Sequence, residues 1–172
     1  MLSGLISAVL VLLFFLLQSA VFPAIAPVHL IPNLLIILTA SKGFMKGENT
    51  GILVGFFCGL LVDIFFGGVI GFHALLYLYI GFLNGKFSQV FYPEDIKLPL
   101  ALITVSDLTY GLLCYVFLFL IWGKLEFPYY FAHVILPEMI VTLIATLLFY
   151  PPILKLQELL FDRQGKRSTD FV

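Results

Sequence analysis

The chain has 172 residues, of which 62% are hydrophobic and only 11% charged, with a mean hydropathy of +1.12; an average soluble domain carries roughly 25% charged residues. Five or six apolar spans of about 20 residues each would consume most of that length and leave no room for a soluble domain. A net charge of −1, with no basic cluster interleaved with exposed aromatics, gives no reason to expect nucleic acid, so the partner implied by composition is the lipid bilayer.

The first apolar run, residues 2–22, lacks the basic leading region of a secretion signal and continues into further spans, so it reads as a retained membrane helix. It closes in Phe22-Pro23-Ala24-Ile25-Ala26-Pro27, where two prolines and no charge predict a short, stiff connection. The second run, 28–41, has a core from Leu30 to Ala40 that is too short to cross a bilayer upright. Extension at its ends, a re-entrant path, or a cover of neighbouring helices are the open alternatives. Pro32 suits the first turn of this helix, and Asn33 puts a polar group near a membrane face. A polar loop from Lys42 to Asn49 leads to the third span, 50–66. Gly67 and Gly68 break it, and the fourth span, 71–85, follows at once, so spans three and four form a tight hairpin. An aqueous loop around Tyr92-Pro93-Glu94-Asp95 precedes the fifth span, 100–122. The sixth, 131–154, is interrupted by Pro137 and ends near Pro151-Pro152. The tail, 155–172, is polar and begins with an amphipathic turn at Leu156, Leu159, Leu160 and Phe161.

Basic residues orient these spans. With the N-terminus in the cytoplasm, Lys42, Lys46, Lys86, Lys97, Lys155, Arg163, Lys166 and Arg167 all fall inside and only Lys124 falls outside, as the positive-inside rule requires. Deleting the short second span would put Lys42 and Lys46 on the wrong side. Tyr92, Trp122, Tyr129, Tyr130 and Tyr150 sit near span ends, where interfacial aromatics belong. The expected fold is an all-α integral membrane protein: a six-helix transmembrane bundle forming one domain over 1–154, with both termini cytoplasmic.

Gly51, Gly55 and Gly59 fall four apart on the third span. A four-residue step turns a helix by about 400°, so they form a side-chain-free stripe that another backbone can approach. Gly71 opens the fourth span, and Gly81 and Gly85 repeat the spacing on it. The stripe reads either as packing between these two helices or as the seat of a partner's helix.

Three carboxylates interrupt the spans. Asp63 lies within about a turn of the outer face, Asp107 roughly ten residues in from the cytoplasmic side, and Glu138 some seven residues in from the outside. A charge at a helix centre costs about 2.5–3.5 kcal/mol on insertion scales, so each should face the bundle or a partner. No Lys or Arg lies deep in any span, which leaves Ser106, Thr109, Tyr110, His73, His133, water, loop bases or another protein to satisfy them. Different depths and helices favour hydrogen-bonded glue over a proton or cation path. Gln18, Asn33, Asn84, Thr142 and Thr146 read as interhelical hydrogen-bonders, and Cys58 and Cys114 as small core residues. His133 and Glu138 are five apart and share no helix face, so no metal pair is expected. Nucleophile-elbow, zinc and phosphate-loop motifs are missing, and the polar residues scatter, so no catalytic residue and no cofactor is expected.

Pro32-Asn33-Leu34-Leu35-Ile36-Ile37, the loop from Gly43 to Gly47, Gly51-x3-Gly55-x3-Gly59-Leu60-Leu61-x-Asp63, Gly71-Phe72-x-Ala74-Leu75, Tyr79 and Gly81-x3-Gly85 together resemble the MreD family of rod shape-determining proteins. The resemblance covers the first half by motif and the second half by hydropathy, length and polar tail; the family often has Pro-Asp where Pro32-Asn33 stands. It implies a non-catalytic membrane scaffold subunit of the bacterial cell-wall elongation complex in the cytoplasmic membrane. Such a subunit binds MreC, a protein with one membrane helix. With it, the subunit connects MreB filaments to RodA and its transpeptidase and helps control cell shape and peptidoglycan synthesis. It also implies a fold similar to the substrate-binding subunits of energy-coupling-factor transporters. The competing class is a substrate-binding subunit of a small-molecule transporter, which needs a polar pocket in its outer half. The first outer loop, Pro23 to His29, is almost wholly apolar and argues against one.

Overall fold

A computed structural model describes residues 2–25, 31–67, 69–92, 96–120 and 126–169, with side chains for all of these except 2–3, 119–120 and 160–169. Six helices carry the described chain. Helix α1 joins Leu2–Leu16, a wide π-type turn Leu17–Val21 and Phe22–Ile25; α2 is Leu34–Lys46; α3 is Glu48–Phe65; α4 is Phe72–Lys86, followed by a 3₁₀ turn Phe87–Gln89. Helix α5 is Lys97–Tyr115 with a second wide turn, Val116–Leu120, and α6 joins Phe127–Tyr130, a third wide turn Phe131–Ile135 and Leu136–Thr169. Four stretches are long and apolar enough to cross a membrane: Gly4–Ile25, Glu48–Phe65, Lys97–Leu118 and Phe127–Leu159. Sequence expectations at Pro27, His29, Gly68, Pro93, Glu94, Asp95, Trp122 and Lys124 lie outside the described residues.

Helix α2 is the core of the bundle. Every residue from Leu34 to Phe44 is buried, and α2 touches each of the other five helices. At 1.5 Å per residue, 13 residues reach only about 20 Å, so of the three alternatives for the short second run the structure takes the covered helix. Val11, Phe14 and Phe15 of α1 and Tyr150 and Ile153 of α6 close over it, with the Phe14 and Phe149 rings 5.5 Å apart edge to face. The outward faces are as apolar as the core: Leu5, Val9, Leu12 and Leu16 on α1, Leu53, Phe57 and Ile64 on α3, and Ile140, Ile144 and Leu148 on α6 are all exposed. Lipid, unlike water, accepts such a surface.

Several boundaries differ from those the sequence predicts, and the prolines account for most of them. Pro23 does not end α1, and Pro137 does not interrupt α6. A proline withholds its N–H and crowds the carbonyl four residues back. In both helices a wide turn, Leu17–Val21 or Phe131–Ile135, stands immediately before it and opens the ladder where the clash would fall. Pro151 and Pro152 also lie inside α6, so the tail is its continuation, anchored by the buried Ile153 and Gln157. Pro32 precedes α2 instead of entering its first turn, and Asn33 is the N-cap. The polar loop predicted from Lys42 to Asn49 shrinks to one residue: α2 runs to Lys46, and Gly47, at φ +91°, makes the turn into α3.

That extension buries Lys42, whose Nζ donates to Gln157 Oε1 at 2.9 Å. An ammonium held by a single neutral side chain is sensitive to that partner, since a hydrogen bond to a charged group contributes about 1.5–3 kcal/mol. Gln157→Ala is expected to lower the melting temperature in detergent clearly. The double change Lys42→Met with Gln157→Leu, which removes both polar groups, is expected to melt near the parent.

Candidate functional site

The glycine stripe lies against α4. A Cβ on Gly51 would overlap the carbonyl of Gly81, one on Gly55 the carbonyl of Tyr77, and one on Gly59 the carbonyl of His73. From the other side, a Cβ on Gly81 would strike the Gly51 carbonyl and one on Gly85 the backbone of Glu48. Gly43 of α2 joins the same contact, 2.8 Å from the Gly81 oxygen measured from an ideal Cβ. The two backbones therefore touch along the whole hairpin, and α3 and α4 share the most extensive helix contact. Gly71 differs: its surroundings are open, and its φ of +101° makes it a left-handed N-cap, a conformation that other L residues rarely adopt.

Asp63 closes this hairpin. Its Oδ2 accepts from the backbone N–H of Gly71 and of Ala74, both at 2.9 Å. Its Oδ1 accepts from the His73 N–H at 3.0 Å and faces His73 Nδ1 at 2.9 Å. The carboxylate caps the first turn of α4, where free N–H groups and the helix dipole both favour a negative charge.

At the buried N-terminus of α2 the polar residues converge instead of scattering, contrary to the sequence expectation. Leu34 N–H donates to the Pro32 carbonyl at 3.0 Å and Ile37 N–H to the Asn33 carbonyl at 3.3 Å. Leu35 N–H reaches Gln18 Oε1 at 3.1 Å, and Ile36 N–H reaches Asn33 Oδ1 at 3.3 Å. All four leading donors of the helix are thus satisfied, as a buried end requires. Asn33 extends the network: its N–H donates to Thr142 Oγ1 at 3.0 Å, its Nδ2 to Glu138 Oε1 at 3.4 Å, and it accepts from the Tyr77 hydroxyl at 2.8 Å. Tyr110 stacks edge-on to Tyr77 with centroids 5.2 Å apart. Asp107, only 4% exposed, lies beside Thr142 and within electrostatic reach of Glu138. Neither of its carboxylate oxygens finds a hydrogen-bond partner among the described residues.

Of the partners foreseen for the three acids, His73 does meet one, Asp63, while Ser106, Thr109 and His133 are engaged elsewhere. Ser106 accepts from Asn84 Nδ2 at 2.7 Å and donates to the Leu102 carbonyl; Thr109 bonds the Val105 carbonyl; His133 meets the Tyr129 carbonyl. Asp107 and Glu138, placed at different depths by sequence, share one cluster because α2 begins deep inside the bundle and draws α5 and α6 to its end. Tyr77 was not singled out by sequence, although it stands four residues from both His73 and Gly81 and so on the face that packs on α3.

A groove of about 490 Å³ runs between α1 and α3, lined on one side by Gly4, Ser7 and Ala8 and on the other by Leu53, Phe57 and Ile64. Its walls are almost entirely apolar, and Gly4 has nothing within 4 Å of the position a Cβ would take. Here Gly4 faces open space and Ala8 is exposed.

An apolar exterior, a central helix buried from Leu34 to Phe44 and polar groups turned inward define an all-helical membrane protein. A family model described as rod shape-determining protein MreD matches residues 1–160. The chain belongs to the MreD family and so has a role in rod shape determination, within a family of structural membrane proteins and not a known enzyme family. No curated protein and no solved structure matches it.

Proposed function

We propose that the chain is a non-catalytic scaffold subunit of the cell-wall elongation complex, with six crossings and both termini in the cytoplasm. It captures the single membrane helix of an MreC-like protein and through it assists peptidoglycan synthesis by RodA and its transpeptidase, in register with MreB. The groove between α1 and α3 carries this reading. Gly4 and Ala8 are one helical step of four apart, open a small-xxx-small face to lipid, and allow a foreign helix to approach α1 closely. The glycines of α3, by contrast, pack directly against the α4 backbone. Ala8→Trp is expected to leave the melting temperature unchanged and to reduce co-purification of co-expressed MreC at least tenfold. Undiminished capture with a wild-type melt would overturn the groove as the seat.

The polar cluster favours a second reading, a substrate-binding subunit of a small-molecule transporter, for which a fold like that of the energy-coupling-factor subunits would be the precedent. Native mass spectrometry of the purified chain separates the two: a bound metabolite supports transport, and a bound single-helix protein supports the scaffold.

A further inference from the structure

We propose that Asp107 and Glu138 form a binding site for one exchangeable monovalent cation, a proton or an alkali metal ion, at the buried N-terminal end of α2. The chain itself displays how it satisfies a carboxylate whose task is structural: Asp63 receives three backbone N–H groups and a histidine ring. Asp107 is buried almost as deeply, and although the Thr142 hydroxyl lies beside it, neither of its oxygens has a well-formed hydrogen bond from the described residues. Glu138 accepts one long bond, from Asn33 at 3.4 Å. Two carboxylates sharing one site within the bundle cannot both keep their charge uncompensated. The titratable groups facing them are Tyr77 of α4, Tyr110 and Cys114 of α5 and Tyr130 of α6, with Cys58 of α3 behind Tyr77. None of these carries positive charge.

The donor set is made of hard oxygens: the two of Asp107, those of Glu138 and Oγ1 of Thr142. This set suits a proton or an alkali ion, and no group of three metal-ligating side chains is found among the described residues. The partial positive charge at the start of α2 offsets some of the negative charge, so one positive charge comes nearer to balance than two. A divalent ion would also want six or more oxygen ligands. Filling the site ties Asp107 on α5 to Glu138 and Thr142 on α6 and, through Asn33, to α2. Occupancy is therefore linked to bundle stability by mass action. The proposal rests on this cluster alone and is independent of the groove on α1.

The test uses the full chain in lipid nanodiscs. Melting is followed against sodium chloride, with N-methylglucamine chloride holding ionic strength constant, and infrared difference spectra are recorded between pH 5 and 9. For an alkali ion, the melting temperature climbs with sodium in the parent and is flat in Asp107→Asn. For a proton, sodium has no effect, and the parent shows a protonated-carboxyl band that titrates and is missing in Asp107→Asn. If that variant does not fold, Glu138→Gln is read in the same way. A parent with neither a sodium-dependent melt nor a titrating carboxyl band sensitive to these changes overturns the site.

Discussion

Gly55→Leu is expected to leave almost no folded protein, whereas Gly4→Leu is expected to fold normally. Overpacking a core costs about 1–3 kcal/mol when neighbouring side chains can turn aside. At Gly55 the neighbour is the Tyr77 carbonyl, and at Gly59 it is that of His73. Backbone has no rotamer to change, so α4 must move as a body, and the loss should exceed that range. Moving α4 also withdraws Tyr77 from Asn33 and uncaps the buried end of α2. Gly4 has no atom within 4 Å to strike. Size-exclusion profiles and melting in detergent check the contrast. A Gly55→Leu protein that melts like the parent while failing to retain MreC would return the stripe to the role of a partner's seat.

The hairpin was the most legible part of the chain because its signal is local. Glycines at steps of four specify a face, and Gly67 with Gly71 specifies a turn, so α3 and α4 fall within a residue or two of the spans predicted from them. The prolines misled for a complementary reason. Pro23, Pro137, Pro151 and Pro152 each break the regular α-helical ladder, but a wide turn ahead of the first two is a tertiary accommodation that no local rule announces. Lys42 misled through charge: a lysine next to a glycine reads as solvated loop until Gln157, more than a hundred residues away, supplies a partner. The polar cluster was invisible for the same reason. Asp107 and Glu138 were ranked by their depth along separate spans, and depth along a span says nothing of where a short, fully covered α2 begins. Once that helix starts inside the bundle, its free N–H groups need acceptors at that level, and the polar residues of α1, α4 and α6 gather there. The small residues of α1 are hard to read because a single four-residue step, Gly4 to Ala8, does not stand out from the serines and aliphatic residues around it.

Asp63→Ala is expected to destabilise the chain by more than about 3 kcal/mol, because one carboxylate accepts several hydrogen bonds of the charge-assisted kind, each contributing about 1.5–3 kcal/mol. The donors it would abandon are the N–H groups of Gly71, His73 and Ala74, at the start of a helix where no intrahelical acceptor exists. Asp63 is 1% exposed, so water does not replace it at once. Asp63→Asn keeps one oxygen and loses the charge, and should fall between alanine and the parent. His73→Ala removes only the ring contact and should cost least of the three. Hydrogen exchange locates the effect: amides 71–76 should lose protection first, while those of α5 keep theirs. Loosening that turn also frees the Tyr77 hydroxyl from Asn33, so faster exchange at Leu35 and Ile36 should follow. Exchange that rises evenly over all six helices would mean that Asp63 holds the bundle as a whole; no change at 71–76 would remove it from the turn altogether.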